Sequence, residues 1–219
     1  MPDAQTDLRA ADPMADVPAV TRKRPKPGER RVQILRALAE MLEQPGAERI
    51  TTAALAARLD VSEAALYRHF ASKAQMFEGL IEFIENSVFS LVNQIAEREQ
   101  DVAEQGARPG TRQAARVIAM VLQFAERNPG MTRVMVGDAL VFEHERLQQR
   151  MNQFFDKIEA TIRQALRLDA NGSATPTTDA QVLAGVLTAF VIGRLHRFAR
   201  SGFRRLPSEH LDASLAMML

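Results

Sequence analysis

The sequence predicts an all-α protein, and three observations carry that prediction. Ala, Leu, Glu, Arg and Gln dominate, whereas runs of Val, Ile, Thr and Tyr, which favour pleated strands, are absent. Apolar residues recur at helical spacing through every long stretch. Gly- and Pro-bearing segments separate those stretches. With 46% apolar and 25% charged residues among 219, a sizeable core is within reach.

The first twenty residues hold four Asp, one Arg and no apolar stretch, the reverse of a signal peptide. Residues 1–26 are therefore expected to form a disordered acidic tail and a basic, Pro-rich arm, and the chain is expected to be cytoplasmic. Helical spacing starts with Val32, Leu35, Leu38, Ala39 and Leu42 and stops at Pro45-Gly46. Two short helices follow within 51–70. A long helix capped by Ser72 carries Phe77, Leu80, Ile81, Ile84, Val88, Leu91, Val92 and Ile95, then fades toward a loop marked by Pro109-Gly110.

The next helix bears Val117, Ile118, Val121, Leu122 and Phe124 and closes at Asn128-Pro129-Gly130. A short helix over 131–137 precedes a longer one carrying Phe142, Leu147, Met151, Phe154, Phe155, Ile158, Ile162 and Leu166. After a loop over 169–178, a helix over 179–200 is apolar on a wide arc, with Val182, Val186 and Phe190 interleaved with Gly185, Ala189 and Gly193. An arc this wide is buried on more than one side, and small residues allow close approach. A symmetric second copy covers such a face economically, so a homodimer is expected; the alternative is the central helix of a monomeric bundle. No unbroken apolar run approaches the ~20 residues of a membrane span.

The segment ITTAALAARLDVSEAALYRHFASK has the pattern of a helix-turn-helix. Thr51 or Thr52 caps a short helix with Leu55, Ala56 and Leu59 on one face. The chain turns at Asp60-Val61, and Ser62 caps a second helix whose inward residues are Leu66 and Phe70. A small Ala56 lets the two helices cross closely, and Asp60 enters the left-handed region more readily than most residues. Such a pair sends the start of its second helix into the major groove. Ser62, Glu63, Ala64, Ala65 and Arg68 are placed to meet base edges. Thr51, Tyr67, His69 and Lys73 are placed to meet phosphates, and Thr52 belongs to the same DNA-binding set. For Tyr67 and His69 the competing role is an aromatic core plug.

Charge agrees with this assignment. Residues 1–20 sum to −3, residues 21–73 to +5 and the remainder to −1, so positive charge concentrates where phosphates would be met. Catalytic and metal chemistry find little support. Cysteine is absent, which excludes disulfides and thiolate sites, and His69, His144, His196 and His210 form no metal-type pair. No metal or cofactor is expected. Glu143-His144-Glu145 reads as a solvated face, and Arg194, Arg197, Arg200, Arg204 and Arg205 as either a second basic patch or the cationic end of a helix.

The helix-turn-helix, the Tyr67-to-Phe70 spacing and the Ser72-Lys73 start of the next helix resemble the TetR family of regulators. Asp60 replaces the commoner Gly of its turn. The segments ERNPGMTRVM and ALVFEHERLQQRMNQFFDKIEATIRQ further resemble the nucleoid-occlusion factors within that family. The resemblance implies a TetR-like fold of about nine helices, with a DNA-binding domain over 27–73 and a helical dimerisation and partner-binding domain over 74–219. It implies a homodimer that binds scattered chromosomal sites on double-stranded DNA at the nucleoid. While bound there, it engages the division protein FtsZ and antagonises its polymers. The FtsZ tail would dock between the fourth and fifth helices, at positions matching Phe83, Arg127 and Asn128; Leu91 stands where the family can show a basic residue. The alternative is a repressor gated by a small molecule.

Overall fold

Apolar spacing at three and four residues shapes the elements of the computed structural model, which describes residues 28–44, 50–102, 108–169 and 175–219. Nine α-helices lie among the described residues: α1 (Glu29–Leu42), α2 (Thr52–Arg58), α3 (Glu63–Tyr67), α4 (Lys73–Val102), α5 (Pro109–Arg127), α6 (Pro129–Met135), α7 (Glu145–Arg167), α8 (Pro176–Arg200) and α9 (Leu211–Met218). A 3₁₀ turn spans Asp138–Leu140. The tail and arm expected over 1–26, and the stop at Pro45-Gly46, fall outside the described residues.

Proline moves three boundaries away from the sequence expectation. Pro109, Pro129 and Pro176 each open a helix, where a missing N–H leaves no bond unmade. Pro109-Gly110 is thus the first turn of α5 rather than loop, and α8 begins three residues before the expected start. α9 forms where the apolar pattern had suggested no element.

α7 packs on α5 and α8, and α4 packs on α5, so these four helices build the body. Phe154 is fully buried and meets Phe89 and Phe155 edge-to-face at 5.7 and 5.1 Å. α1 rests on α4 and α6, with Ile34, Leu35, Leu38 and Leu42 inward. Val32, expected on that stripe, is exposed because Ile34 takes the inward position. Leu91, Phe142, Val182 and Val186 also face outward from their predicted stripes. By length and composition α8 is long and apolar enough to cross a membrane, contrary to the reading from unbroken runs. Its Leu187, Val191, Leu195 and Phe198 are instead buried within the body.

Two glycines mark backbone-to-backbone contacts. A Cβ on Gly110 would collide with the Ala165 carbonyl, and one on Gly130 with the Ala39 carbonyl. Beside the first contact, the Asp169 carboxylate closes the start of α5. It accepts from Gly110 N at 3.0 Å and Thr111 N at 2.6 Å. Burial pushes this carboxyl up, but the hydrogen bonds from Thr111 and Gly110 and the Arg108 charge outweigh burial and hold it below its ordinary value.

A depressed folded-state value stabilises the protein above the unfolded carboxyl's titration, and the contribution disappears as pH falls through the folded one. Asp169→Asn should therefore lower stability by about 1 kcal/mol at neutral pH, the usual worth of a helix cap at a half-exposed site. Thermal melts should show the gap to the parent protein closing below the ordinary carboxylate range. A gap that stays constant with pH would remove the charge from this account.

Candidate nucleic-acid interface

The helix-turn-helix is assembled by local hydrogen bonds. Thr51 has extended backbone angles and its Oγ1 accepts from Ala54 N at 3.1 Å. Ser62 does the same for α3, its Oγ accepting from Ala65 N at 3.3 Å. Each such cap contributes about 1 kcal/mol. At the end of α2, Asp60 N donates to Ala57 O (3.1 Å) and Val61 N to Ala56 O (3.0 Å), with Asp60 left-handed at φ 53°. This pair of bonds satisfies the last carbonyls of α2 and reverses the chain.

Leu55, Ala56, Leu66 and Phe70 are buried, which fixes α3 against α2. Phe70 reaches furthest: Arg31 of α1 lies 4.2 Å over its ring and donates to the His69 carbonyl at 3.2 Å. Arg31 thereby closes the segment after α3 and supports the cation–π contact. Sequence reading missed this role, whose only signal was a cation in the first turn of α1.

Ser62, Glu63, Ala64, Tyr67, Arg68 and His69 are exposed together on one side, with Ala65 half-buried beneath them. Tyr67 is 45% exposed, so neither it nor His69 serves as a core plug. The Thr52 hydroxyl donates to Glu63 Oε2 at 2.6 Å and accepts from the Tyr67 hydroxyl at 3.5 Å. This chain of hydroxyls pre-sets Glu63 and Tyr67 on the surface and leaves the second Glu63 oxygen free of that bond. Arg58 is engaged elsewhere, with Glu40 at 2.7 Å.

Lys73 departs from the exposed set. It opens α4 behind the Ser72 cap, where Ser72 Oγ accepts from Gln75 N at 3.2 Å. Its ammonium pairs with Glu143 Oε1 at 2.5 Å, the two side chains being 31% and 10% exposed. Glu143 is thus a largely covered partner rather than a member of a solvated face. His144 caps α7, its Nδ1 accepting from Arg146 N at 3.2 Å.

Phe83, Arg127 and Asn128 lie on the body. Phe83 is 43% exposed on α4, Arg127 ends α5 exposed to solvent, and Asn128 caps that end with Nδ2 donating to Phe124 O at 2.7 Å. α4 and α5 are consecutive, packed and joined by a short connection, hence antiparallel. Phe83 stands nineteen residues before the end of α4 and Asn128 nineteen after the start of α5.

Two family models match the chain: "Bacterial regulatory proteins, tetR family" over residues 34–80, and "Tetracyclin repressor-like, C-terminal domain" over residues 111–219. The nucleoid occlusion factor SlmA of Vibrio cholerae is 50% identical over 192 residues, covering 86% of this chain and 93% of that protein. That of Idiomarina loihiensis is 48% identical over 190 residues, covering 86% and 93%. Among solved structures, the fold is similar to the transcriptional regulator FadR of Bacillus subtilis in complex with stearoyl-CoA, with a TM-score of 0.65, 13% identity and coverage of 85% and 96%. It is also similar to a TetR-family regulator of Mesorhizobium loti, with a TM-score of 0.62, 18% identity and coverage of 90% and 98%. At such identities these two structures establish the fold alone.

A phosphate would compete with Glu143 for the Lys73 ammonium. Glu143→Gln should then tighten binding to any DNA duplex by about three- to tenfold, roughly the worth of one half-exposed ion pair. Lys73→Ala should weaken binding and shallow the salt dependence by about one phosphate. Fluorescence anisotropy across a salt series checks both, and an unaltered slope in Lys73→Ala would keep Lys73 with Glu143 in the bound state.

Proposed function

The chain belongs to the nucleoid occlusion factor SlmA family of TetR-type DNA-binding regulators, and we propose that it binds chromosomal sites as a homodimer and, from there, antagonises FtsZ polymers over the nucleoid. Residues 27–73 serve as the DNA-binding unit and 74–219 as the dimerisation and partner-binding body. α3 enters the major groove with Ser62, Glu63, Ala64, Ala65 and Arg68 toward base edges. Thr51, Tyr67, His69 and Lys73 take phosphates, which fix orientation without reading sequence, and Thr52 belongs to the same DNA-binding set.

What supports the partner reading is that Phe83 is exposed on α4 while Arg127 and Asn128 stand at the end of α5, the helix packed beside it. An exposed aromatic beside a cation at a helix end offers an apolar seat and a charged anchor to a peptide tail. The name FtsZ rests on the family. A ligand-gated repressor is less favoured, because the relatives that match over most of the chain are nucleoid occlusion factors.

For the dimer, α8 supplies the support. Val182 and Val186 are exposed, and an added Cβ at Gly185 or Gly193 meets nothing within 4 Å. That face combines apolar area with room for close approach, which a second copy of α8 fits.

FtsZ assembly followed by light scattering should fall in the presence of this protein plus a chromosomal site selected by it. Arg127→Ala should reduce that effect about tenfold while DNA affinity stays within twofold, the loss expected of one charged anchor. Indifference of FtsZ to the DNA-bound protein would end this reading. Separately, Val182→Glu with Val186→Glu should yield monomers in sedimentation equilibrium and weaken DNA binding more than tenfold. A dimer unaffected by both charges would place the interface elsewhere.

A further inference from the structure

Glu63 is an unexpected charge on a face that meets phosphates. It opens α3 as an exposed carboxylate beside Ser62, Ala64 and Arg68, and among the described residues it pairs with no cation. The basic side chain of α2, Arg58, is given instead to Glu40 at 2.7 Å. A negative charge here lowers affinity for every duplex, because it adds to the phosphate field that Lys and Arg must neutralise. That cost is offset only where the carboxylate meets a hydrogen-bond donor in the groove.

The carboxylate is also held in place. The Thr52 hydroxyl donates to Glu63 Oε2 at 2.6 Å, the length of a charge-assisted bond. A hydroxyl has a single proton, so Thr52 has none to give a phosphate while this bond stands. The Tyr67 hydroxyl stands 3.5 Å from Thr52 Oγ1, a long contact that a phosphate would displace. Thr52 is half-buried at the first position of α2, behind the Thr51 cap, and the Ser62 cap fixes where α3 begins. A Glu side chain loose in solvent loses rotamer freedom when it binds; here that loss is already taken on folding. Among the described residues Oε1 accepts no hydrogen bond and is left for a ligand.

The chemistry of the ligand follows from the groove. Ala64 and Ala65 carry no polar group, and Ser62 Oγ already accepts from Ala65 N, so Glu63 is the charged acceptor that the start of α3 offers to bases. Arg68 stands at the opposite end of the helix. Adenine presents its N6 donor beside the N7 acceptor, which repels a carboxylate, whereas the edge of cytosine presents the N4 donor without an acceptor. We propose that Glu63 Oε1 accepts from N4 of a cytosine in the DNA site and so determines specificity there, with Thr52 as the positioning residue that holds the carboxylate. This inference rests on the placement of α3 in the major groove above.

Duplexes selected by the full chain from a random pool supply the probe. The wild-type site should hold an invariant C·G pair whose replacement by T·A costs about tenfold in affinity. Glu63→Ala should cut that cost below about twofold and raise affinity for an unrelated duplex about threefold. Glu63→Gln keeps the shape of the side chain and should move the preference at that pair toward adenine, whose N6 and N7 an amide meets together. Thr52→Val should leave a cost of about threefold, and Thr52→Ser, which keeps the hydroxyl, should restore the wild-type cost. Equal discrimination by Thr52→Val and wild type would remove the positioning role. A cost unchanged in both Glu63 variants overturns the assignment while α3 stays in the groove. Equal losses on selected and unrelated duplexes make Glu63 a structural residue and also overturn it. If the wild-type protein selects no sequence, the groove placement falls as well.

Discussion

Gly130 opens α6 directly against the Ala39 carbonyl of α1, and Gly79 of α4 leaves the space into which Leu35 and Phe70 settle. Without a side chain at either position, backbone and ring come within contact distance, so the DNA-facing helices sit on the body at one fixed separation. A methyl group at Gly130 would have to move backbone, not a flexible side-chain end. The exposed face of α3, the start of α4 and the end of α5 all take their relative positions from this junction.

Charge works across the same junction in a second way. Lys73 pairs with Glu143, Arg146 with Glu78 at 2.7 Å and Arg150 with Glu85 at 2.6 Å, a ladder from the first half of α4 to the start of α7 and the residue before its cap. Pairs whose cations stay partly at the surface contribute modestly to stability. Their value is positional, since they join the residue nearest the candidate phosphates to the helix that anchors the body. An incoming phosphate would compete for the first rung, and the remaining rungs would hold.

The elements of the helix-turn-helix were legible because their geometry is local. A cap spans three residues, the turn after α2 closes over six, and the inward pair Leu66 and Phe70 is separated by four, so adjacent letters determine each feature. Other roles were not legible. The partnership of Lys73 with Glu143 and the seat of Arg31 on Phe70 join positions far apart in sequence. Nothing near Glu143 in sequence indicates that its carboxylate is covered by another helix.

The sequence by itself determined the all-α class and the helix-turn-helix with its two caps and left-handed Asp60, because hydrogen bonds and side-chain spacing within one or two turns decide these. Tertiary structure decided which apolar residues face inward where two choices were open, as with Ile34 over Val32, and where prolines begin helices rather than end them. It also decided which cations are engaged and which are free. Those outcomes follow from what other helices bring near a residue, and a neighbour separated by a hundred positions leaves no periodic mark on the chain.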